Sequence, residues 1–281
     1  MNDALGGLEV MPGDEFLGVS LQRYLPLGPT EGRLRASALL NATLPSDGPP
    51  RTWFEATITV IGRGRSVWRV HWIGGRLRWE SYFWRHATDP PGMALADVAA
   101  AAGRTPDPSV LRFIESSATT ALCMSVELDP GDTEKLLAVD AYLELAPNTA
   151  AYYRASSDGI RLRGVQSRFE QTTQWDRFET ALRASPRLGG VSPKDLVPSP
   201  LRTDRWIYLT HGSETDGVYV TGLDLSALRW FLGWSKAPVS LDNWIGRHAD
   251  RLDHLAYDVG YRVNLEGPEV VVEAGSIYAS L

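Results

Sequence analysis

The stretch Arg78-Trp-Glu-Ser-Tyr-Phe-Trp84 places a cation, a carboxylate, a phenol and an indole at alternate positions. Successive side chains of a β-strand point to opposite faces, so Arg78, Glu80, Tyr82 and Trp84 share one face. Leu77, Trp79 and Phe83 share the other, which suits an apolar cover. The preceding run repeats the division, with Arg65, Arg69 and His71 opposite Trp68, Val70 and Trp72. Asp140, Tyr142 and Glu144 oppose Val139, Ala141 and Leu143. Tyr208 lies with Trp206 and Thr210, Tyr219 with Thr221, and Arg262 with Asn264. The guanidinium forks of Arg65, Arg69, Arg78, Arg161 and Arg262 suit a phosphate or carboxylate. Tyr82, Tyr142, Tyr208 and Tyr219 can add hydrogen bonds, and the face of Trp84 attracts a cation. Glu80 or Glu55 can act as a general base. This mixture fits a partly dry cavity in which a few polar groups orient a ligand. An antiparallel sheet with one solvated face gives the same alternation, and its exposed Arg–Glu pairs are worth roughly 0–1 kcal/mol.

The elements that would position these residues follow from punctuation and period. Trp53–Ile61 is β-branched and alternating, and reads as a strand carrying Glu55. Ser66–Ile73 and Leu77–Trp84 flank Gly74-Gly75, a strong hairpin signal. Residues 93–102 and 108–117 read as helices, 119–128 and 139–145 as strands, and 160–168 as a strand after the turn Ser157-Asp158-Gly159. A helix over 174–184 and a proline-rich connector at 186–200 precede a second hairpin, 205–211 with 218–223. Helices at 226–234 and 240–257 lead to a last hairpin, 261–265 with 269–273, turning at Gly267-Pro268. Helix pairs inserted between hairpins must cover one face of a single antiparallel sheet. A sheet of about ten strands that closes has no edge and leaves room for a ligand. The expected architecture is therefore an α+β fold, one antiparallel barrel with helix pairs outside, spanning 15–281 after a loose segment at 1–14.

Composition narrows the function. The net charge of −6 argues against binding nucleic acid by phosphate neutralisation. The single cysteine, Cys123, sits in an apolar run and reads as a buried thiol rather than a nucleophile. No signal peptide and no apolar run long enough for a membrane span is found, so a soluble cytoplasmic protein is the default expectation. Metal-ligand spacings are absent: His248 and His254 are six apart on one expected helix, and His211 with Glu214 falls in a turn-rich loop. Gly62-Arg-Gly-Arg-Ser66 lacks the features of a phosphate loop and reads as a turn. Ten tryptophans, five of them between 53 and 84, suggest a thick sheet–helix core or an aromatic-lined hollow.

The element order, with the strands RWESYFW, RWIYLTH and GYRVNL, resembles the α-α-β-β barrel aromatic prenyltransferases over roughly residues 50–275. The resemblance implies transfer of an isoprenoid from a diphosphate to an aromatic or indolic acceptor, without metal or other cofactor. Lysine is absent from these strands, so arginine would have to hold the diphosphate. Tyrosines and Trp84 would then shield an allylic cation, and a dry wall would keep water from it. The competing expectation is a non-catalytic small-ligand-binding or interaction protein with a half-open sheet.

Overall fold

A computed structural model of the chain describes residues 7–18, 22–84, 91–117, 121–129, 131, 135–136, 138–266 and 269–280. The strands are β1 (Ser66–Ile73), β2 (Arg76–Trp84), β3 (Thr105–Pro106), β4 (Ala121–Leu128), β5 (Lys135–Leu136) and β6 (Ala138–Ala146). They continue as β7 (Thr149–Ser156), β8 (Gly159–Glu170), β9 (Trp206–Gly212), β10 (Asp216–Leu223), β11 (Tyr257–Glu266) and β12 (Glu269–Ser280). Ten of them form a closed antiparallel barrel in the order β1-β12-β11-β10-β9-β8-β7-β6-β4-β2. Every barrel strand pairs with its neighbours in the chain, and β1 against β12 closes the ring. The short β3 and β5 pair in parallel outside it.

The helices occupy the connections. The first pair, α1 (Ser37–Thr43) and α2 (Pro49–Ile61), precedes β1, and α3 (Pro91–Ala101) with α4 (Pro108–Ser117) joins β2 to the β4 region. Between β8 and β9 lie α5 (Trp175–Arg183) and α6 (Pro193–Leu196). Between β10 and β11 lie α7 (Leu225–Trp234), α8 (Val239–Arg247) and α9 (Ala249–Leu252). None of the described helices is long and apolar enough to cross a membrane.

Three sequence expectations are corrected. Residues 53–61 form the body of helix α2, not a strand. Pro49 and Pro50 start it, and Trp53, Phe54 and Thr57 fall on one buried stripe of helical period, which outweighs the β-branched run that follows. Residues 149–156 form β7, so two hairpins, β4–β6 and β7–β8, stand in succession between the second and third helix groups. The expected helix 240–257 breaks at His248, and strand β11 already begins at Tyr257. The expected turn at Gly267-Pro268 lies outside the described residues.

Three of the four tryptophans of the first hairpin, Trp68, Trp72 and Trp79, sit on the outside of the barrel and fasten it to its cover. All three are buried under the helices. Trp72 Nε1 donates to the Ser235 carbonyl at 2.9 Å, and Trp79 Nε1 to Thr43 Oγ1 at 3.2 Å. Trp53 of α2 meets Phe83 of β2 edge-on, with ring centroids 6.2 Å apart. Full burial of each such ring contributes roughly 1.5–3 kcal/mol. Gly74 and Gly75 have φ of 55° and 77°, the two positive values of a tight hairpin turn that matches strand twist. That turn fixes Arg69 opposite Glu80 and Val67 opposite Tyr82.

Candidate functional site

The polar face of every barrel strand turns inward. Arg69, His71, Arg78, Glu80, Tyr82 and Trp84 line the lumen. So do Tyr142 on β6, Tyr208 on β9, Tyr219 on β10 and Arg262 on β11, through the register Arg69–Glu80, Tyr208–Tyr219 and Gly217–Arg262. The lumen divides into two halves along its axis. The upper half, at the end bearing Trp84 and Ser280, is a cavity of about 320 Å³. Its wall includes Tyr82, Tyr142, Tyr208, Tyr219, Tyr278 and Trp84. The lower half is filled by ion pairs.

The tyrosines form a chain of rings around the wall. Tyr152 stacks on Tyr142 at 5.5 Å, Tyr142 meets Tyr82 at 6.4 Å, and Tyr82 meets Tyr278 at 5.9 Å. Tyr278 meets Tyr219 at 5.9 Å. Glycines on the facing strands make room for two of these rings. A Cβ on Gly164 would stand 2.7 Å from the Tyr152 ring and 2.5 Å from the His211 carbonyl oxygen, and one on Gly260 would stand 2.6 Å from the Tyr219 ring. Burial pushes the Tyr82, Tyr142 and Tyr278 hydroxyls well above the usual phenol range, and the Glu80 carboxylate adds to the effect. The wall therefore offers neutral phenols rather than phenolates.

Below the rings, opposite charges are matched across strands. Arg69 Nη1 donates to Glu80 Oε2 at 2.8 Å, with side-chain exposures of 14% and 6%. Arg154 grips Asp140 with two hydrogen bonds of 2.9 and 2.8 Å. Glu127, opposite Glu80 in the register, is neighboured by Arg78 Nη1 at 3.1 Å, His71 Nε2 at 3.5 Å and Arg154 Nη2 at 3.5 Å. Contact with His71, then with Arg78 and the Arg69 charge, holds the Glu127 carboxyl far below the usual carboxylate range. Burial raises Asp140 above its ordinary value, against the pull of Arg154.

His71 gives this layer a pH dependence. Burial, then the Arg69 charge, holds its imidazole below the ordinary value of 6.5, so it is neutral at pH 7. The unfolded chain gains a proton at His71 as pH falls through 6.5, whereas the folded chain does so only at lower pH. The associated stability is present above pH 6.5 and is lost below it. The unfolding temperature is therefore expected to fall between pH 7 and 5, with a shallower fall in His71→Gln. Thermal scans across that window measure it, and an unchanged slope in the variant would assign the effect elsewhere. Some slope remains in the variant, because burial depresses His254 in the same direction.

Four of the residues expected from sequence lie outside the lumen or at its rim. Glu55 is on α2, outside the barrel, a correction that follows from the helical conformation of 53–61. Arg65 precedes β1 and lies in a second hollow of about 310 Å³, beside Asp14 and Arg35 of the N-terminal segment, not in the lumen. Arg161 is on the exposed end of β8, opposite Arg154. Arg78 is at the lower rim, with 46% of its side chain exposed and Asp129 at 3.5 Å. Arg262 faces the lumen and, among the described residues, forms no ion pair.

The structure adds residues that the sequence reading did not select. Tyr278 and Tyr152 lie on strand segments not assigned from sequence. Arg168 lines the cavity and is the cationic residue of its wall among the described residues. Its Nε donates to Asn148 Oδ1 at 3.0 Å, and its guanidinium lies over the Trp206 ring at 4.4 Å. Cys123 is buried in the same wall, and burial raises its thiol, as expected for an inert thiol. Among the described residues, no three His, Cys, Asp or Glu side chains converge as a metal site.

No family model matches the chain, and no curated protein matches it.

Proposed function

We propose that the upper lumen binds a small aromatic molecule and that the reaction there is transfer of an isoprenoid from a diphosphate to that acceptor. The observation that carries the binding step is the largely apolar cavity at one end of the barrel, ringed by tyrosines of which Tyr82, Tyr142 and Tyr278 are held neutral. A pocket of this kind buries a planar ligand while a few fixed donors orient it. The transfer step rests on the closed barrel with helix pairs outside, which is the architecture the resemblance implies, and on Arg168. That guanidinium is tethered by an amide and an indole rather than by a carboxylate, which leaves its charge available to an anion.

In this reading the bond between the isoprenoid C1 and the diphosphate oxygen breaks, and the pair of electrons leaves with diphosphate. The aromatic acceptor attacks C1 while the surrounding rings shield the developing cation. The proton lost from the acceptor passes to a carboxylate, the role assigned to Glu80.

One observation favours a second reading, binding without chemistry. Glu80 is joined to Arg69 at 2.8 Å and lies below the cavity wall rather than on it. The two readings separate in one experiment. Pure protein is mixed with dimethylallyl, geranyl or farnesyl diphosphate and with indole or 1-naphthol, and products are sought by mass spectrometry. Prenylated product, reduced at least tenfold in Arg168→Ala, is expected from transfer. Calorimetric binding of the aromatic compound, with no product and no heat from the diphosphates, leaves binding alone.

A further inference from the structure

The tryptophans and tyrosines of this protein fall into two groups by their polar atoms. Those that hold the fold together are paired. Trp68 and Trp72 donate to the carbonyls of Ser280 and Ser235, Trp79 donates to Thr43, and the Tyr257 and Tyr261 hydroxyls donate to the carbonyls of Leu252 and Leu196. Trp84, which opens on the cavity, is not paired: its Nε1 is buried and has no hydrogen-bond partner among the described residues, whereas the Tyr278 hydroxyl, also on the wall, has the Ser276 hydroxyl beside it. Tyr278 is only 3% exposed. Trp53 also has an unpartnered N–H, but it is sealed in the helix–sheet core and does not reach the cavity.

An indole N–H can only donate, so nothing but an acceptor satisfies Trp84. A buried donor left unmet costs about 1–3 kcal/mol, which makes it a strong selector among ligands of similar shape. The surroundings bear on the charge of that acceptor. The guanidinium near Tyr278, that of Arg69, lies 5.4 Å over its ring and is already joined to Glu80. Arg168, the cation on the wall, extends from β8, separated from Tyr278 by β9, β10 and β11 in the sheet order. Arg262 stands opposite Ala274, away from the cavity wall, so a carboxylate at Trp84 would be desolvated on a wall that carries Glu144 and Asp258 and, among the described residues, Arg168 as its one cation.

We infer that the aromatic ligand of this cavity carries a neutral hydrogen-bond acceptor, such as a ring carbonyl, which takes the Trp84 N–H. The inference deepens the proposed binding site and rests on that reading.

Three probes of like size test it by calorimetry: 1-indanone, indane and indane-1-carboxylate. Wild-type protein is expected to bind 1-indanone at least tenfold more tightly than indane, and the carboxylate more weakly than 1-indanone. Trp84→Phe, checked for folding by circular dichroism, is expected to lose most of the preference for the ketone over indane. Equal binding of 1-indanone and indane by wild type overturns the inference and leaves the aromatic site standing. A preference kept in full by that variant overturns it too. Failure of all three probes to bind at millimolar concentration overturns the site itself, and the inference with it.

Discussion

Arg69→Ala is expected to lower the unfolding temperature by about 10 °C. The substitution removes one partner of a pair whose carboxylate, on Glu80, is almost wholly inside the barrel. Breaking such a pair from one side costs about 3–5 kcal/mol, because the remaining charge is left without compensation. For a chain of this size each kcal/mol moves the midpoint by roughly 2–4 °C. Glu127 faces Glu80 directly across β2 and β4, so the loss of Arg69 also leaves two carboxylates opposite each other. The double variant Arg69→Met with Glu80→Gln is expected to recover most of the loss, since neither charge is then stranded. Differential scanning calorimetry of wild type and the two variants measures this. A single variant as stable as wild type would show that water reaches Glu80, and that the lower lumen is wetter than the ion-pair geometry implies.

Ala150→Trp is expected to abolish binding of aromatic ligands, a loss of at least a hundredfold, with the fold preserved. Ala150 points into the upper lumen from β7, between Glu144 on β6 and Gln166 on β8. It lines the cavity, where an indole would fill much of the space that a ligand needs. The residue is only partly buried, so the larger side chain can enter the hollow without displacing the helix–sheet core. Calorimetry with 1-naphthol is the readout, with circular dichroism as the control for folding. Retained affinity would place the ligand somewhere other than the upper lumen.

Much of the barrel was legible because its two faces meet different surroundings. Strands β1 and β2 alternate between tryptophans that pack under helices and charges that face inward, so their pattern is strict. The Gly74-Gly75 turn adds the register and makes the Arg69–Glu80 pair readable in principle. Residues 53–61 misled because a β-branched run on the partly exposed side of a helix looks like a strand, and two prolines with a helical stripe decided the matter. Strand β7, with the sequence TAAYYRAS, has alanines at 151 and 155 where its neighbours have Leu143, Val165, Val139 and Ile160, so its apolar face was inconspicuous. Its position before the Ser157-Asp158-Gly159 turn was the available signal, because a hairpin needs a strand on both sides.

The site was only half legible. Sequence reading placed Tyr82, Trp84, Tyr142, Tyr208 and Tyr219 on one face, and all five line the cavity. It missed Tyr278 because β12 continues through AGSIYAS, where glycine and alanine weaken the strand pattern. It could not tell which arginines are free. Pairing of Glu127 with Arg78 and Arg154 depends on strands separated by long connections, and no local pattern fixes that register. The consequence for chemistry is large. None of the five arginines expected to bind an anion is on the cavity wall, and Arg69 and Arg78 are already paired, whereas Arg168, on the wall, was not among those expected.

The central claim is that a closed barrel encloses a tyrosine-walled hollow that takes an aromatic guest. A crystal structure of the protein grown with 1-naphthol tests it most directly. The account predicts electron density for the bicyclic ring inside the upper lumen, in contact with Tyr82, Tyr142, Tyr219 and Tyr278. An upper lumen closed by packed side chains, or an open sheet with those tyrosines in bulk solvent, would contradict it.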